Sequence, residues 1–243
     1  MKFELTKNFI EEISILIEQG KYALLIEKLE KLYPVDVAEI CKNINIKEAI
    51  IIIKEIHEEK SAEILIELED DLREKILAEL TPKKIAQEID NLDSDDATDV
   101  IQDLPNEKQI KVLSHIEDKD LAEDIESLLS YEEDTAGGLM AKELVKVNIN
   151  WQLKQCLREM RKQAAHLSSI YNVYVVDDED VLRGTLSLKR LLITPAESNI
   201  SEIYNPDVIS VKANDSKEDI ANIFEKYDLV ALPVIDDNNK LIG

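Results

Sequence analysis

Short apolar-periodic segments, separated by polar residues, repeat through the first half of the chain. From about residue 34 to residue 130, a new segment begins roughly every twelve residues, with apolar positions spaced as on one face of a helix. Helices this short bury their apolar face only against neighbours, because nucleation is costly. The pattern therefore predicts an array of short helices stacked into a superhelix. The predicted starts lie near Pro34, Ile46, Glu58, Asp70, Thr81, Asp93, Pro105 and Glu117.

Capping residues and apolar stripes support this array. Thr81 can cap a helix whose first position is Pro82, where the missing N–H of proline has no helical partner to lose. Asp93 or Ser94 can cap the next helix. The apolar stripes are predicted to form the core between the helices, with no cofactor implied. Typical stripe residues are Ile64, Leu65, Leu68, Leu72, Ile76, Leu77 and Leu80.

Strand-like apolar runs replace the helical pattern in the second half of the chain, and they occur twice. Residues 172–184, NVYVVDDEDVLRG, align without gaps with residues 231–243, ALPVIDDNNKLIG. A second matching pair, residues 141–147 and 205–211, precedes these segments. Recurrence in the same order indicates an internal duplication. Each copy reads as strand, helix, strand, acidic turn and strand, and a further helix follows in the first copy at residues 187–192.

Composition narrows the class of protein. Hydrophobic residues make up 44% of the chain and charged residues 33%, as in a folded globular protein. The longest apolar run, residues 49–53, is far shorter than the ~20 residues that span a bilayer, so this chain is not expected to cross a membrane. Charges near the first residues argue against a signal peptide and predict a cytosolic location. Cys41 and Cys156 lie far apart in helical patterns and are expected to be buried, reduced thiols.

The charge balance points to cations as partners and away from nucleic acid. The formal net charge is −23, so a phosphate backbone or an anionic lipid surface would be repelled. Catalysis has no visible basis, because His57, His115 and His166 lie in separate helical segments without a triad. The five glycines form no G-x-G-x-x-G and no Walker loop. We therefore do not expect an enzyme.

Aspartates crowd the start of one predicted helix. A helix N-terminus attracts acids through its macrodipole, so capping alone can explain Asp93 and Asp95. Asp99 lies a turn further on, on the same face as Asp95, and capping does not explain it. Like charges at this spacing repel each other. A divalent cation would relieve the repulsion, and carboxylates suit the largely hydrated Mg²⁺ ion. The cluster comprises Asp93, Asp95, Asp96 and Asp99.

The segment that joins the two halves carries the most specific signal. Residues 131–140 read YEEDTAGGLM, and the tracts NVYVVDD and YDLVALPVIDD follow in order. With these strings the chain resembles the cytosolic part of the MgtE family of magnesium channels, and the elements around LPVID resemble a CBS domain. The resemblance implies an α+β fold, in which an all-α superhelix of short helices precedes an α/β CBS-domain pair. The implied domains are the helical superhelix (1–130), the junction with the first CBS domain (131–200), and a second CBS domain (201–243) that is truncated inside its last predicted strand.

The resemblance also implies metal-binding positions, because MgtE-like proteins hold Mg²⁺ between the helical domain and the CBS pair. Asp228 carries the most weight, since an acid directly before the predicted strand LVALPVID is not needed for the fold; a solvated loop acid is the alternative. Ser216 departs from the pattern, because these proteins often carry an acid there. The matching positions are Glu63, Asp95 and Asp99 on the helical side, and the Gly138 carbonyl, Glu218 and Asp228 on the CBS side.

The CBS resemblance raises adenine nucleotides as ligands. In CBS domains, a run after the third strand places a hydroxyl and a carboxylate against phosphate and ribose, and here that run is residues 184–190, GTLSLKR. Arg190 replaces the ribose-binding acid, which weakens the prediction of ATP without removing it. Ser187 and Lys189 remain as weak candidate contacts for a nucleotide.

The resemblance and the charge together predict a cytosolic Mg²⁺-sensing regulatory region of a magnesium channel or transporter, at the cytoplasmic face of the cell membrane. Mg²⁺ bound between the acidic helical domain and the CBS domains would control the gating of the channel. The implied partners are Mg²⁺ ions, the membrane-spanning domain of the same protein, and a second copy joined through the CBS domains. Two alternatives stay open: a CBS regulator that senses adenine nucleotides, and a helical scaffold resembling the flagellar motor switch proteins.

Overall fold

The computed structural model describes residues 3–167 and 169–243, and these fall into two compact units. The helical unit ends at Ile125, and the mixed unit is Glu126–Gly243. A chain that is all-helical first and mixed afterwards has the predicted α+β fold, which is thereby confirmed. The three predicted domain limits remain predictions. No helix in the described ranges is long and apolar enough to cross a membrane.

Short helices build the first half of the chain; two of them precede the predicted array, and those from residue 34 onward begin close to the predicted positions. They are α1 (Lys7–Glu18), α2 (Tyr22–Leu29), α3 (Pro34–Asn43), α4 (Ile46–Glu55), α5 (Glu58–Ile66), α6 (Asp70–Ala78), α7 (Pro82–Ile89), α8 (Ser94–Gln102), α9 (Asn106–Leu113) and α10 (Lys119–Leu128). Helices α3 to α9 start within one residue of the predicted positions, and α10 starts two residues later than predicted. The predicted array of short helices is therefore confirmed.

Local capping explains these starts. The hydroxyl of Thr81 accepts the backbone N–H of Lys84 at 3.2 Å, as predicted for α7. Asp93 occupies the N-cap position of α8. At α4, Asn45 and Glu48 form a reciprocal capping box, in which each side chain accepts the other's backbone N–H at 3.1 Å. These bonds satisfy donors that a helix N-terminus leaves open.

Packing between alternate helices builds the core of the helical unit. Helix α3 contacts α5, α5 contacts α7, and α7 contacts α9, while α4 contacts α6. This order is typical of stacked helical repeats, in which each helix buries its apolar face against neighbours. Of the predicted stripe residues, Leu72 is half-buried and the others are buried. Each fully buried Leu or Ile contributes about 2 kcal/mol to stability.

The first strand-rich copy has the predicted order of elements. The mixed unit contains α11 (Ala136–Leu139), α12 (Leu153–Gln163), a 3₁₀ helix (Ala164–His166), α13 (Leu188–Ile193), α14 (Ile200–Ile203) and α15 (Lys217–Tyr227), with strands β1 (Val145–Asn148), β2 (Val173–Val176), β3 (Leu182–Leu186), β4 (Val211–Lys212) and β5 (Val234–Ile235). Strand β1 pairs in parallel with β2, and β2 pairs antiparallel with β3. Helix α12 packs on β1 and closes an apolar core that includes Val145, Val173 and Cys156.

The acidic turns of the two copies share one backbone geometry. Asp177 and Asp236 each accept, through Oδ1, the N–H of the residue four positions later, at 3.0 and 2.8 Å. Asp180 and Asn239, three positions after those acids, have φ angles of +63° and +61°. Asp and Asn adopt this left-handed conformation more readily than most residues. Because the turns match at the aligned positions, the internal duplication is confirmed.

The second copy forms a smaller sheet than the sequence predicted. Strand β4 pairs in parallel with β5, and in the described residues this sheet is two-stranded. The predicted third strand is reduced to an isolated bridge between Leu241 and Ile235 and two backbone hydrogen bonds between Val234 and residues 242–243. The turns of the two copies are also joined: Leu182 donates its N–H to the carbonyl of Asn239 at 3.0 Å, and Leu241 donates its N–H to the carbonyl of Asp180 at 2.9 Å.

Candidate functional site

Helix α8 carries apolar and acidic residues on different faces. Its apolar residues are buried in the core of the helical unit. Asp95 is half-buried and Asp99 is exposed. Asp103, at the C-cap, follows Asp99 by four residues, so the three acids stand one turn apart along one face. We call Asp95, Asp99 and Asp103 the α8 acidic stripe.

Partial burial and mutual repulsion oppose ionisation of the two predicted metal ligands in this stripe. The pKa of the Asp95 carboxyl is raised, first by burial and also by the Asp93 carboxylate. Asp99 is exposed as a whole residue, but partial desolvation of its carboxyl raises its pKa; the guanidinium of Arg73 lowers that pKa, and neighbouring carboxylates raise it further. A cation bound near either carboxylate would stabilise its charged form.

A buried arginine, which the sequence argument missed, lies beside the stripe. Arg73 is on α6 and is 8% exposed. Its Nε donates to Oδ2 of Asp103, and its Nη2 donates to Oδ1 of Asp70 at 3.1 Å. The three-residue spacing of Asp70 and Arg73 is readable as a helix pair. The ion pair between Arg73 and Asp103 joins positions 30 residues apart, so no local sequence pattern predicts it.

Glu63 lies on a neighbouring helix of the same unit. Its side chain is exposed on α5, and α5 packs against α8. Across the part of the chain that the structure describes, no group of three or more His, Cys, Asp or Glu side chains is placed to hold a metal ion. The predicted ligands are thus on adjacent helices but are not gathered into a closed shell. Mg²⁺ keeps several waters and takes one or two carboxylates, so an open set of oxygen donors fits its chemistry.

The YEEDTAGGLM junction closes against the second copy within the mixed unit. Gly137 donates its N–H to the carbonyl of Ala213 at 2.8 Å. A Cβ added at Gly138 would stand 2.3 Å from the carbonyl oxygen of Glu132. Such a contact is too short for any residue with a side chain, so the backbone approach requires glycine. Gly138 therefore has a structural role, whatever its carbonyl binds.

Glu218 and Asp228 lie at opposite ends of α15. Glu218 is exposed in the first turn, and Asp228 is exposed at the C-cap. A rise of 1.5 Å per residue separates them by about 15 Å, so no single ion can contact both directly. The N–H of Lys217 donates to the carbonyl of Asp134 at 3.0 Å, which places the junction beside the Glu218 end of the helix.

Asp228 has a role in the fold that the sequence argument overlooked. It has φ +51° and ψ +49°, and its N–H donates to the carbonyl of Phe224. Residues with a Cβ rarely adopt this left-handed conformation, and Asp tolerates it better than most. This conformation gives a structural reason for a short polar residue at this helix end, which Asn would also satisfy, so the fold alone does not require an acid there. The following strand also begins later, at Val234. The metal role of Asp228 remains a prediction.

The run proposed for nucleotide contact already has intramolecular partners. The hydroxyl of Ser187 accepts the N–H of Arg190 at 3.2 Å and caps α13. The Nη1 of Arg190 donates to the carbonyl of Ile203 at 2.6 Å. Ser187 and Lys189 are exposed. These contacts give Ser187 and Arg190 roles in the fold, and their contact with a nucleotide remains a prediction.

A fully buried glutamate in the helical unit also escaped the sequence argument. Glu88, on α7, is 0% exposed. The Nζ of Lys84 lies 2.9 Å from its Oε1, yet neither carboxylate oxygen has a well-formed hydrogen bond to a described residue. Burial raises the pKa of Glu88 to about 7, against the opposing effect of the Lys84 ammonium. Lys84 and Glu88 have the i, i+4 spacing of an ordinary ion pair on a helix surface, so the sequence does not predict that Glu88 is buried.

Comparison with known proteins matches both halves of the chain. The family model described as MgtE intracellular N domain matches residues 32–134, and the CBS domain model matches residues 136–196 and 200–243. The crystal structure of the cytosolic domain of the Mg²⁺ channel MgtE in complex with ATP has a TM-score of 0.87 and 29% identity, over 96% of this chain and 95% of that one. The chain is homologous to the MgtE cytosolic domain. The predicted resemblance is therefore confirmed, and neither matched model is that of an enzyme family.

Further MgtE relatives extend beyond the length of this chain. The magnesium transporter MgtE of Thermus thermophilus is 38% identical over 120 residues, which are 49% of this chain and 27% of that protein. MgtE of Bacillus subtilis is 28% identical over 234 residues, which are 96% of this chain and 52% of that protein. The soluble part of a magnesium transporter gives a TM-score of 0.80 at 28% identity, over 96% of this chain and 92% of that one. The chain thus spans about half, or less, of these two full-length relatives.

Proposed function

We propose that this chain is the cytosolic Mg²⁺-sensing regulatory region of a magnesium channel or transporter. The observation that carries the proposal is the likeness to the cytosolic domain of the Mg²⁺ channel MgtE over 96% of the chain. Both the helical and the CBS segments match, in the same order. The chain acts by binding ions and shifting between conformations, with no catalytic step.

The proposed switch is electrostatic. A net charge of −23 makes any arrangement that brings acidic surfaces of the two units together unfavourable in the absence of cations. Bound Mg²⁺ offsets this repulsion and favours one arrangement of the helical and mixed units. The effect is a population shift between two states, and the ion drives it only through its higher affinity for one of them.

The proposed ligands are oxygen donors from both units. Carboxylates and a carbonyl are the hard donors that Mg²⁺ prefers, and its retained waters complete the octahedron. Because Glu218 and Asp228 are about 15 Å apart along α15, separate ions are needed at its two ends. Several weak sites of roughly millimolar affinity, acting together, suit a sensor of cytosolic Mg²⁺. The proposed ligands are Glu63, Asp95 and Asp99 with Glu218, Asp228 and the Gly138 carbonyl.

The proposed macromolecular partners are the membrane-spanning domain of the same protein, at the cytoplasmic face of the membrane, and a second copy of this chain. Helix α13 supports the homodimer, because it exposes Leu188, Leu192 and Ile193 at 46%, 85% and 71%. Apolar residues grouped on one short helix are typical of an interface. The strongly acidic surface disfavours nucleic acid as a partner.

Small-angle X-ray scattering tests the proposed switch. We expect ~10 mM Mg²⁺, which exceeds the weak affinity of hydrated sites, to reduce the radius of gyration of the chain. The acid-to-amide variant carries Asp95→Asn, Asp99→Asn and Asp228→Asn. Its radius of gyration should be the same with and without Mg²⁺. Asn is chosen because it tolerates the left-handed conformation at position 228.

A charge-matched control separates ligands from solvating acids. Glu11, Glu18 and Glu179 are exposed and are divided between the two units as the tested acids are. Their joint replacement by Gln removes the same charge and should leave the Mg²⁺ response intact. An unchanged radius of gyration of the unmodified chain on addition of Mg²⁺ would count against the switch. An acid-to-amide variant that responds to Mg²⁺ as this control does would also count against it.

Nucleotide sensing is the second candidate, because a related cytosolic domain was crystallised in complex with ATP. We expect ATP to bind this chain weakly, since Arg190 stands in place of the ribose acid and its guanidinium is bonded to Ile203. Arg190→Asp should strengthen ATP binding in calorimetry, with a melting curve to check that the lost bond does not unfold the unit. Tight ATP binding by the unmodified chain would favour the nucleotide sensor instead.

A further inference from the structure

The α8 acidic stripe ends at a fixed positive charge. Asp103 follows Asp99 by one turn, and its N–H donates to the Asp99 carbonyl at 3.3 Å. The Nε of Arg73 pairs with Asp103, and the two side chains are only 10% and 16% exposed. Because Asp99 stands one turn before Asp103 on the same helix face, the same guanidinium also attracts the Asp99 carboxylate. A buried cation therefore acts on a proposed Mg²⁺ ligand without occupying it.

Burial keeps this cation in place. Removing one partner of a buried ion pair leaves an uncompensated charge, which is strongly unfavourable, so Arg73 cannot leave Asp103 for solvent when another cation arrives. Asp70, the second partner of Arg73, has a side chain that is 84% exposed and holds only the outer end of the guanidinium. An arginine side chain stays protonated at all physiological pH values. An ion at Asp99 therefore meets a constant repulsion.

We propose that Arg73 is a positioning residue that sets the Mg²⁺ affinity of the α8 acidic stripe by acting as a built-in competing cation. The inference rests on the proposed function, because it treats Asp95 and Asp99 as Mg²⁺ ligands. A unit charge roughly 6–10 Å from a hydrated divalent ion, screened as in bulk water, changes the affinity for that ion by about three- to tenfold. Arg73 thus keeps the site weak enough to respond to cytosolic Mg²⁺ instead of being filled permanently.

The two partners of one ion pair provide the test. Arg73→Gln removes a positive charge and Asp103→Asn removes a negative charge, while both break the same contact. In calorimetric titration of the full 243-residue chain with MgCl₂, we expect about three- to tenfold tighter binding for Arg73→Gln and a similar weakening for Asp103→Asn. Arg73→Lys, which keeps the charge, should bind as the unmodified chain does. Both pair-breaking variants should melt at a lower temperature without Mg²⁺.

The direction of the shifts separates tuning from a merely structural role. If the Arg73–Asp103 ion pair only stabilises the fold, both variants should change the Mg²⁺ affinity in the same direction as they lose stability. That result would overturn the proposal, and so would an unchanged Mg²⁺ affinity in both variants. The difference between the variants should narrow at high salt, because screening weakens charge interactions. If Arg73→Gln fails to fold, weakening by Asp103→Asn beside an unchanged Arg73→Lys supports the proposal, and an unchanged Asp103→Asn overturns it.

The Asp95→Asn, Asp99→Asn double variant separates this inference from the function on which it rests. If the double variant binds Mg²⁺ more weakly while the Arg73 and Asp103 variants bind normally, the proposed function stands and the role of Arg73 is wrong. If the unmodified chain does not bind Mg²⁺ at all, the proposed function is wrong, and the role of Arg73 is wrong with it.

Discussion

Gly138→Ala is expected to destabilise the mixed unit by about 3 kcal/mol, a typical cost of overpacking a site that cannot expand. The added Cβ would lie 2.3 Å from the carbonyl oxygen of Glu132 and 2.9 Å from the Cα of Glu133. Both are backbone atoms, which cannot rotate away as a side chain can. Urea denaturation measures the loss in the free energy of unfolding. It is carried out without Mg²⁺, so that a change in ligation by the Gly138 carbonyl cannot contribute to that loss.

Gly243→Ala is the matched control for this prediction. A Cβ there would also be crowded, 2.5 Å from the sulfur of Met140. The outer atoms of this flexible side chain can move aside, although its Cβ, 2.9 Å away, cannot, so the expected loss is smaller, about 1 kcal/mol. Equal losses in the two variants would show that backbone crowding at the junction does not explain the second glycine of YEEDTAGGLM.

Glu88→Gln is expected to remove a pH dependence of stability from the helical unit. The pKa of Glu88 is about 7 in the folded chain, against an ordinary value of 4.5. The folded state therefore retains a proton that the unfolded state releases, so the stability this group contributes is full below pH 4.5 and is lost as pH rises through 7. Relative to the variant, the unmodified chain should lose about 3 kcal/mol across this window.

Chemical denaturation at a series of pH values measures this difference. Lys84 and Glu58 are the charged groups that act on Glu88, and they form an ion pair at 3.3 Å that the substitution should leave in place. Glu59→Gln, at an exposed position on α5, is the control and should leave the pH profile unchanged. Parallel profiles for Glu88→Gln and the unmodified chain would contradict a carboxyl that is buried and poorly hydrogen-bonded.

Elements specified by nearby residues could be predicted from the sequence. Thr81 and Asn45 cap helices that begin one residue later, so a reader of the sequence can place α7 and α4. The two acidic turns are equally local, since Asp177 and Asp236 bond residues within four positions. The resemblance then supplied the pairing of a helical unit with a CBS pair, which the family models confirm.

Features that depend on distant contacts could not be predicted in this way. The burial of Arg73 against Asp103 and the burial of Glu88 are set by how α5, α6, α7 and α8 stack, and spacing along one helix does not encode them. The left-handed conformation of Asp228 follows from the sharp end of α15. The separation of Glu218 and Asp228 likewise needed the helix bounds, because the resemblance grouped them in one set.

Labels that report the separation of the two units are available on this chain. Lys83→Cys in the helical unit and Ser201→Cys in the mixed unit would carry spin labels at exposed positions. Burial raises the pKa of the Cys41 thiol to about 12 and that of Cys156 to about 11. Thiols react as thiolates, so the native cysteines should react slowly with the label.

The distance distribution between these labels, measured by pulsed electron paramagnetic resonance with and without ~10 mM Mg²⁺, reports whether the ion changes the arrangement of the two units. We expect Mg²⁺ to change a broad distribution into a narrow one, because bound ions favour a single arrangement. The acid-to-amide variant should keep the broad distribution at both concentrations. A distribution that Mg²⁺ leaves unchanged in the unmodified chain would contradict a Mg²⁺-driven switch between the two units.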